Sequence, residues 1–229
     1  IDDKGFRTII YPGTGLGMGF AFFDEQSGFY RPLPSEGGHA DATCDEKTKR
    51  YTISTGWGNP DQETAISGPG ILRTYLALTP KSRVTQNIKN ATDETKPIEI
   101  VREAKKGDDT YCKEAVAQFI LNLAGFARGT ALQTMPYGGL YLIGGIVKDL
   151  EDYIKSNAFI KEFQSHDIKG ISEVLKKIPV LLIDYPNMPL LGCGHAAAHF
   201  MNLAFKGSRP KRIFYDHVIN QHLKILKSL

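Results

Sequence analysis

Thr8-Ile9-Ile10-Tyr11-Pro12-Gly13-Thr14-Gly15-Leu16-Gly17-Met18-Gly19-Phe20-Ala21-Phe22-Phe23 is the stretch from which the fold is read. Thr8 to Tyr11 and Met18 to Phe23 are short runs of β-forming residues, with turn-forming glycines between them. The Gly13-Thr14-Gly15-Leu16-Gly17 cluster therefore predicts a tight turn joining two strands. That placement argues against the strand-to-helix loop of a Rossmann or Walker fold. Phe29 to Leu33, after Ser27-Gly28, reads as a third strand, so the first third of the chain is expected to be antiparallel.

Beyond it the pattern changes. Ile71, Leu72, Tyr75 and Leu76 recur at helical spacing behind Ser67, a suitable cap. Cys44 to Asp61 contains Thr52, Ser54, Thr55, Gly56, Gly58 and Pro60 and reads as loop. Pro97 marks a helix start, because the first helical amides need no intrahelical acceptor. Asp108 or Asp109 caps a long helix from about Thr110 to Met135, whose Ala117, Ile120, Leu123, Ala124, Phe126 and Ala127 form a broad apolar face. Leu140 to Ile143 and Val180 to Ile183 read as short buried strands, and 191–205 and 213–226 return to helical spacing. Strands first, then helices interleaved with single strands, predict an α/β domain with one mixed sheet. The expected division is 1–186 as that domain and 187–229 as a C-terminal helical segment.

Composition bounds the function. With 229 residues, 41% of them hydrophobic, the chain can bury a full core without staples. A net charge of +3, from 28 basic and 25 acidic residues, sets up no large field for nucleic acid or an anionic membrane. A small-molecule partner is expected. Cys44, Cys112 and Cys193 are odd in number and widely spaced, which speaks against a disulfide framework and fits a reducing cytoplasm. No apolar run is expected to reach the ~20 residues of a membrane span. The opening Ile1-Asp2-Asp3-Lys4 is no signal peptide, and a start without methionine that runs at once into a strand reads as a fragment.

Three clusters could carry chemistry. The amides of Gly13-Thr14-Gly15, with the Thr14 hydroxyl, can form a nest for phosphate oxygens, although a plain hairpin accounts for the same residues. In Ser35-Glu36-Gly37-Gly38-His39 a carboxylate and an imidazole flank two residues without side chains. Such a pair suits a polyol, since a carboxylate accepts from adjacent hydroxyls and a neutral histidine can donate or accept. Glu63, just before the Ser67 turn, would add a further acceptor if that turn folds back. Each of these residues singly is as well explained as a solvated loop glutamate or a satisfied histidine. Gly138-Gly139 and Gly144-Gly145 around the Leu140 strand, and Leu190-Leu191-Gly192-Cys193-Gly194, mark close backbone approach that suits a flat ring; helix caps and tight packing explain them too.

Taken in order, GTGLG, SEGGH, a glutamate before SGPG, YLIGGIV and PLLGCG, these segments resemble the bacterial-type glucokinases of the sugar kinase superfamily with actin-like domains. The resemblance runs from Thr8 to about Phe200. It implies the ribonuclease H-like large domain of an actin-like ATPase fold, closing on glucose with a smaller domain, ATP in the cleft and Mg²⁺ bridging its phosphates. By the same resemblance Glu36, His39 and Glu63 bind sugar hydroxyls. Gly13, Thr14 and Gly15 form a phosphate loop. Gly144, Gly145, Leu191, Gly192 and Gly68 lie at the adenosine, and many members are homodimers. The family's D-G-G-T-N phosphate loop and its asparagine-aspartate pair, which supplies the base, have no counterpart here. The small N-terminal domain and the catalytic base are thus expected upstream of Ile1, and hexose phosphorylation by these residues alone is expected to be negligible.

Other readings keep the fold with mannose or fructose as substrate, or make the chain a sugar or nucleotide sensor. The cysteine-rich zinc signature of the related repressor-type kinases is absent. A metal set of Cys193, His195 and His199 lacks a fourth ligand. Lys206, Arg209, Lys211 and Arg212 lie in an interhelical loop without an aromatic platform for nucleic acid.

Overall fold

The computed structural model describes residues 1–42, 46–54, 60–184, 188 and 190–194, and the backbone of 223–225. Three strands come first: β1 (Arg7–Pro12), β2 (Leu16–Asp24) and β3 (Phe29–Ser35). Helices α1 (Glu46–Ser54), α2 (Gln62–Ala65), α3 (Gly68–Leu78), α4 (Gln86–Asn90), α5 (Lys96–Lys106) and α6 (Thr110–Thr134) follow. Then come β4 (Leu140–Ile143), α7 (Gly145–Asp149), α8 (Glu151–Ile154), α9 (Asn157–Gln164), α10 (Lys169–Leu175), β5 (Val180–Ile183) and β6 (Leu223–Ile225).

Among the described residues the strands form one mixed sheet in the order β3-β2-β1-β4-β5-β6. β1 pairs antiparallel with β2 and parallel with β4, and β4 with β5 is again parallel. β3 carries Pro32 and Pro34. Its edge position tolerates them, since proline brings no amide to a ladder.

Alternation on β1 assigns the two faces. Thr8 and Ile10 are buried, whereas Ile9 and Tyr11 are exposed. On the buried face lies α6, with Cys112, Ala115, Val116, Phe119, Leu123, Ala124 and Ala127 turned into the core at helical spacing. Asp109 starts this helix by accepting from Tyr111 N at 2.8 Å and Cys112 N at 3.0 Å. Near its other end Thr134 gives its hydroxyl hydrogen to Thr130 O at 2.9 Å, so in the 2.9 Å contact between Thr8 Oγ1 and Thr134 Oγ1 the donor is Thr8. The buried threonine of the central strand is thereby satisfied.

Three expectations change. Part of the Cys44 to Asp61 stretch is helix: α1 packs on α3, and Glu46 in its first turn suits the helix dipole. Residues 223–225, read with a helical span, are strand β6, which pairs antiparallel with β5. An unpaired strand edge gains backbone partners that way, and three residues are too few for periodicity to reveal. Helix α6 is also long and apolar enough, by length and composition, to cross a membrane. It is nonetheless packed by α3, α5, α9 and β1, as a core helix is. The helical start at 190–194 agrees with expectation, and the rest of 195–205 lies outside the described residues.

Urea unfolding should separate these contributions. Asp109→Ala should cost about 1 kcal/mol, as the loss of an N-cap does. Leu123→Ala, which empties a fully buried position, should cost about 2–5 kcal/mol.

Candidate functional site

The parallel pairing of β1 with β4 brings the ends of both strands to one place, where the loop Gly13–Gly15 and the turn Gly144–Gly145 meet. The hairpin expected from the glycine cluster is present, with Gly13 N donating to Gly15 O at 2.7 Å. Two bonds tether this loop to the α2–α3 segment. Gly68 N donates to Gly13 O at 2.8 Å, and Leu16 N donates to Glu63 Oε2 at 2.9 Å. Among the described residues, the amides of Thr14 and Gly15 have no acceptor.

Gly144 caps α7 at φ 127°, and a Cβ there would lie 2.7 Å from Pro12 O. Both features require glycine. A Cβ at Gly68 would sit 3.4 Å from Gly13 O and 3.5 Å from Ile146 Cδ1, so Gly13, Gly68 and Gly144 share one corner. Gly145 faces open space. Gly192 lies on the exposed side of the sheet, where with Arg7, Ile9, Tyr11, Tyr141 and Ile143 it lines a cavity of about 370 Å³. Leu191 is half-buried beside it in sequence.

The acidic and imidazole residues are assembled by a second set of bonds. β3 ends at Ser35 opposite Met18, which leaves Glu36 and the single turn Gly37–His39 against the start of β2. Gly38 packs so tightly on Leu16 O that no Cβ could be accommodated. Its lack of a side chain permits this packing. Gln62 N donates to Ala40 O at 2.9 Å and Gln62 Nε2 to Asp41 O at 2.7 Å, which pins α2 beside the turn. His39 and Glu63 are thus brought near each other although 24 positions of sequence separate them.

Asp61, which the sequence reading did not single out, joins the two. Its Oδ2 lies 2.8 Å from His39 Nδ1, while Oδ1 accepts from Thr64 N at 2.8 Å and caps α2. The Asp61 hydrogen bond and charge raise the His39 pKa, and the charges of Glu63 and Glu36 add to this. Of the three carboxylates, Asp61 touches the ring, and Glu63 and Glu36 lie near enough for their charges to act on it. Burial pushes the Asp61 carboxyl up, but bonds from His39 and Thr64 outweigh it and hold the group below its usual range. Arg73, its pKa depressed by burial, faces Asp61 and Glu63 as counter-charge. The only advance signal for Asp61 was its spacing to Thr64, which reads as a capping box.

No group of three metal-binding side chains occurs among the described residues, and Cys193 is exposed and free. His195, His199, Lys206, Arg209, Lys211 and Arg212 lie outside them.

A family model, Glucokinase, matches residues 2–200. The glucokinase of Saccharophagus degradans is 34% identical over 198 residues, covering 84% of this chain and 58% of that protein. A glucokinase structure from an Antarctic psychrotroph superposes with TM-score 0.68 at 27% identity, over 84% of this chain and 58% of the other. A glucokinase structure from Balamuthia mandrillaris, 17% identical and with TM-score 0.67 over 80% of this chain and 51% of its own, shares the fold. That fold is the actin-like ATPase fold expected from the motif order. The chain spans little more than half the length of these relatives. A family model that matches so much of its length establishes that the chain belongs to the glucokinase family.

Proposed function

We propose that the chain forms the sugar- and nucleotide-binding part of an enzyme that transfers the γ-phosphoryl group of ATP to the 6-hydroxyl of D-glucose. The observation that carries this reading is the grouping of Glu36, His39 and Glu63 beside the tethered Gly13–Gly15 loop. Family membership and the name of the Saccharophagus degradans relative support it.

In this reading the three side chains orient the sugar. Glu36 and Glu63 accept from adjacent ring hydroxyls, and His39, its Nδ1 taken by Asp61, offers Nε2 to another. Glu63 also holds Leu16 N, so the carboxylate that touches sugar is bonded to the loop that would meet phosphate. The amides of Thr14 and Gly15 supply donors to the nucleotide's oxygens. Gly68, Gly144 and Gly145 let the backbone approach the nucleotide, with Leu191 and Gly192 bordering the adenosine. The side-chain-free opening at Gly145 suits such a ligand. ATP supplies the phosphoryl group, and Mg²⁺ would be held mainly through its phosphates. Transfer also requires a base at the 6-hydroxyl, and no residue of this chain is assigned that role. A cytoplasmic location and a homodimer belong to the same proposal.

Isothermal titration with glucose should give measurable binding by the chain. Glu36→Ala should weaken it at least about tenfold, the cost of losing hydrogen bonds to a charged group. Equal affinity in the variant would remove Glu36 from the sugar site, and tighter binding of mannose or fructose would reassign the hexose.

Gly144→Ala should lower stability by about 1–3 kcal/mol through backbone strain. It should also weaken a nonhydrolysable ATP analogue, measured by titration at a temperature where the variant remains folded.

A further inference from the structure

Asp61 sits where two demands meet. One oxygen of its carboxylate terminates α2, the short helix that carries Glu63, by accepting from Thr64 N and from Thr64 Oγ1 at 2.7 Å. The other faces His39 Nδ1 at 2.8 Å. An ionised carboxylate has no proton to give, so His39 must donate through Nδ1. The ring's remaining nitrogen, Nε2, is then the one left for a ligand. It accepts when the imidazole is neutral and donates when it is charged.

We propose that Asp61 is a positioning residue of the sugar site, one carboxylate that sets both the tautomer of His39 and the placement of Glu63. This rests on the glucose reading above and adds to it a fourth side chain that need not touch the sugar. Asp61 fixes which hydrogen-bonding pattern the hexose hydroxyls meet, and it couples the two segments that converge on them. The groups facing His39 are Glu36 on its own turn and Asp61 and Glu63 from α2, with Arg73 of α3 behind the last two.

The sign of the pH effect follows. The raised His39 pKa means that the folded state binds this proton more tightly than the unfolded chain does. The resulting stabilisation is fully present below about pH 6.5 and is lost as pH rises through the higher folded midpoint.

Asp61→Asn separates the two functions. An asparagine keeps an oxygen to cap α2 but turns its amide hydrogens toward Nδ1, which must then accept, so the ring proton moves to Nε2. Nitrogen-15 spectra of histidine-labelled full chain should show Nδ1–H in the native protein and Nε2–H in Asp61→Asn. The variant's His39 midpoint should fall, and glucose affinity should drop about three- to tenfold. Circular dichroism should show the variant folded, and Asp61→Ala, which also loses the cap, should bind glucose no better than Asp61→Asn. An unchanged tautomer in Asp61→Asn, or unchanged glucose affinity, would overturn the proposal while leaving the sugar site intact. A native His39 resonance indifferent to saturating glucose would instead overturn the hexose reading, and this proposal with it.

Discussion

The central strand β1 imposes the constraint on which the molecule depends. It is hydrogen-bonded antiparallel to β2 and parallel to β4. The antiparallel side permits a short connection, so the chain turns back within Gly13–Gly15. The parallel side requires a long crossover, which the helices through α6 supply. Because β1 and β4 point the same way, the tight loop after one and the glycine turn after the other fall side by side. Carboxyl ends of neighbouring parallel strands are where open α/β sheets place ligands. Here the candidate site lies at the boundary between the two kinds of pairing.

Holding that loop in place falls to a segment that is remote in sequence. Glu63 and Gly68 bond to Leu16 and Gly13, and Gln62 bonds to the 40–41 backbone. A few polar contacts thus align three stretches of chain. Their geometry depends on the core beneath: Ala65, Ile66 and Ile71 are buried, which anchors α2 and α3 on the same body that β1 crosses.

Much of this was legible in the sequence, for definite reasons. The strands β1, β2, β4 and β5 announce themselves because short β-forming runs are set off by turn residues close by, such as Gly13, Gly28, Gly144 and Pro186. The caps Ser67 and Asp109, and Pro97 in the first turn of α5, are local signals whose partners lie within three residues. What failed was non-local. α1 is stabilised by packing on α3, which its threonines and serine conceal. β6 exists because β5 has an edge to fill, not because three residues prefer to be extended. Asp61 bonds to a histidine 22 positions away, and no periodicity encodes that encounter. Gly38 was legible as special, but its reason, contact with Leu16 O, depends on a register set by β2 and β3.

The prolines of β3 have a consequence for association. Pro32 and Pro34 are two apart, so the hydrogens they lack would have pointed to the same side of the strand. An incoming extended chain laid along that border would find two gaps in the row of donors it needs. The border is thereby blunted against templated growth into fibrils.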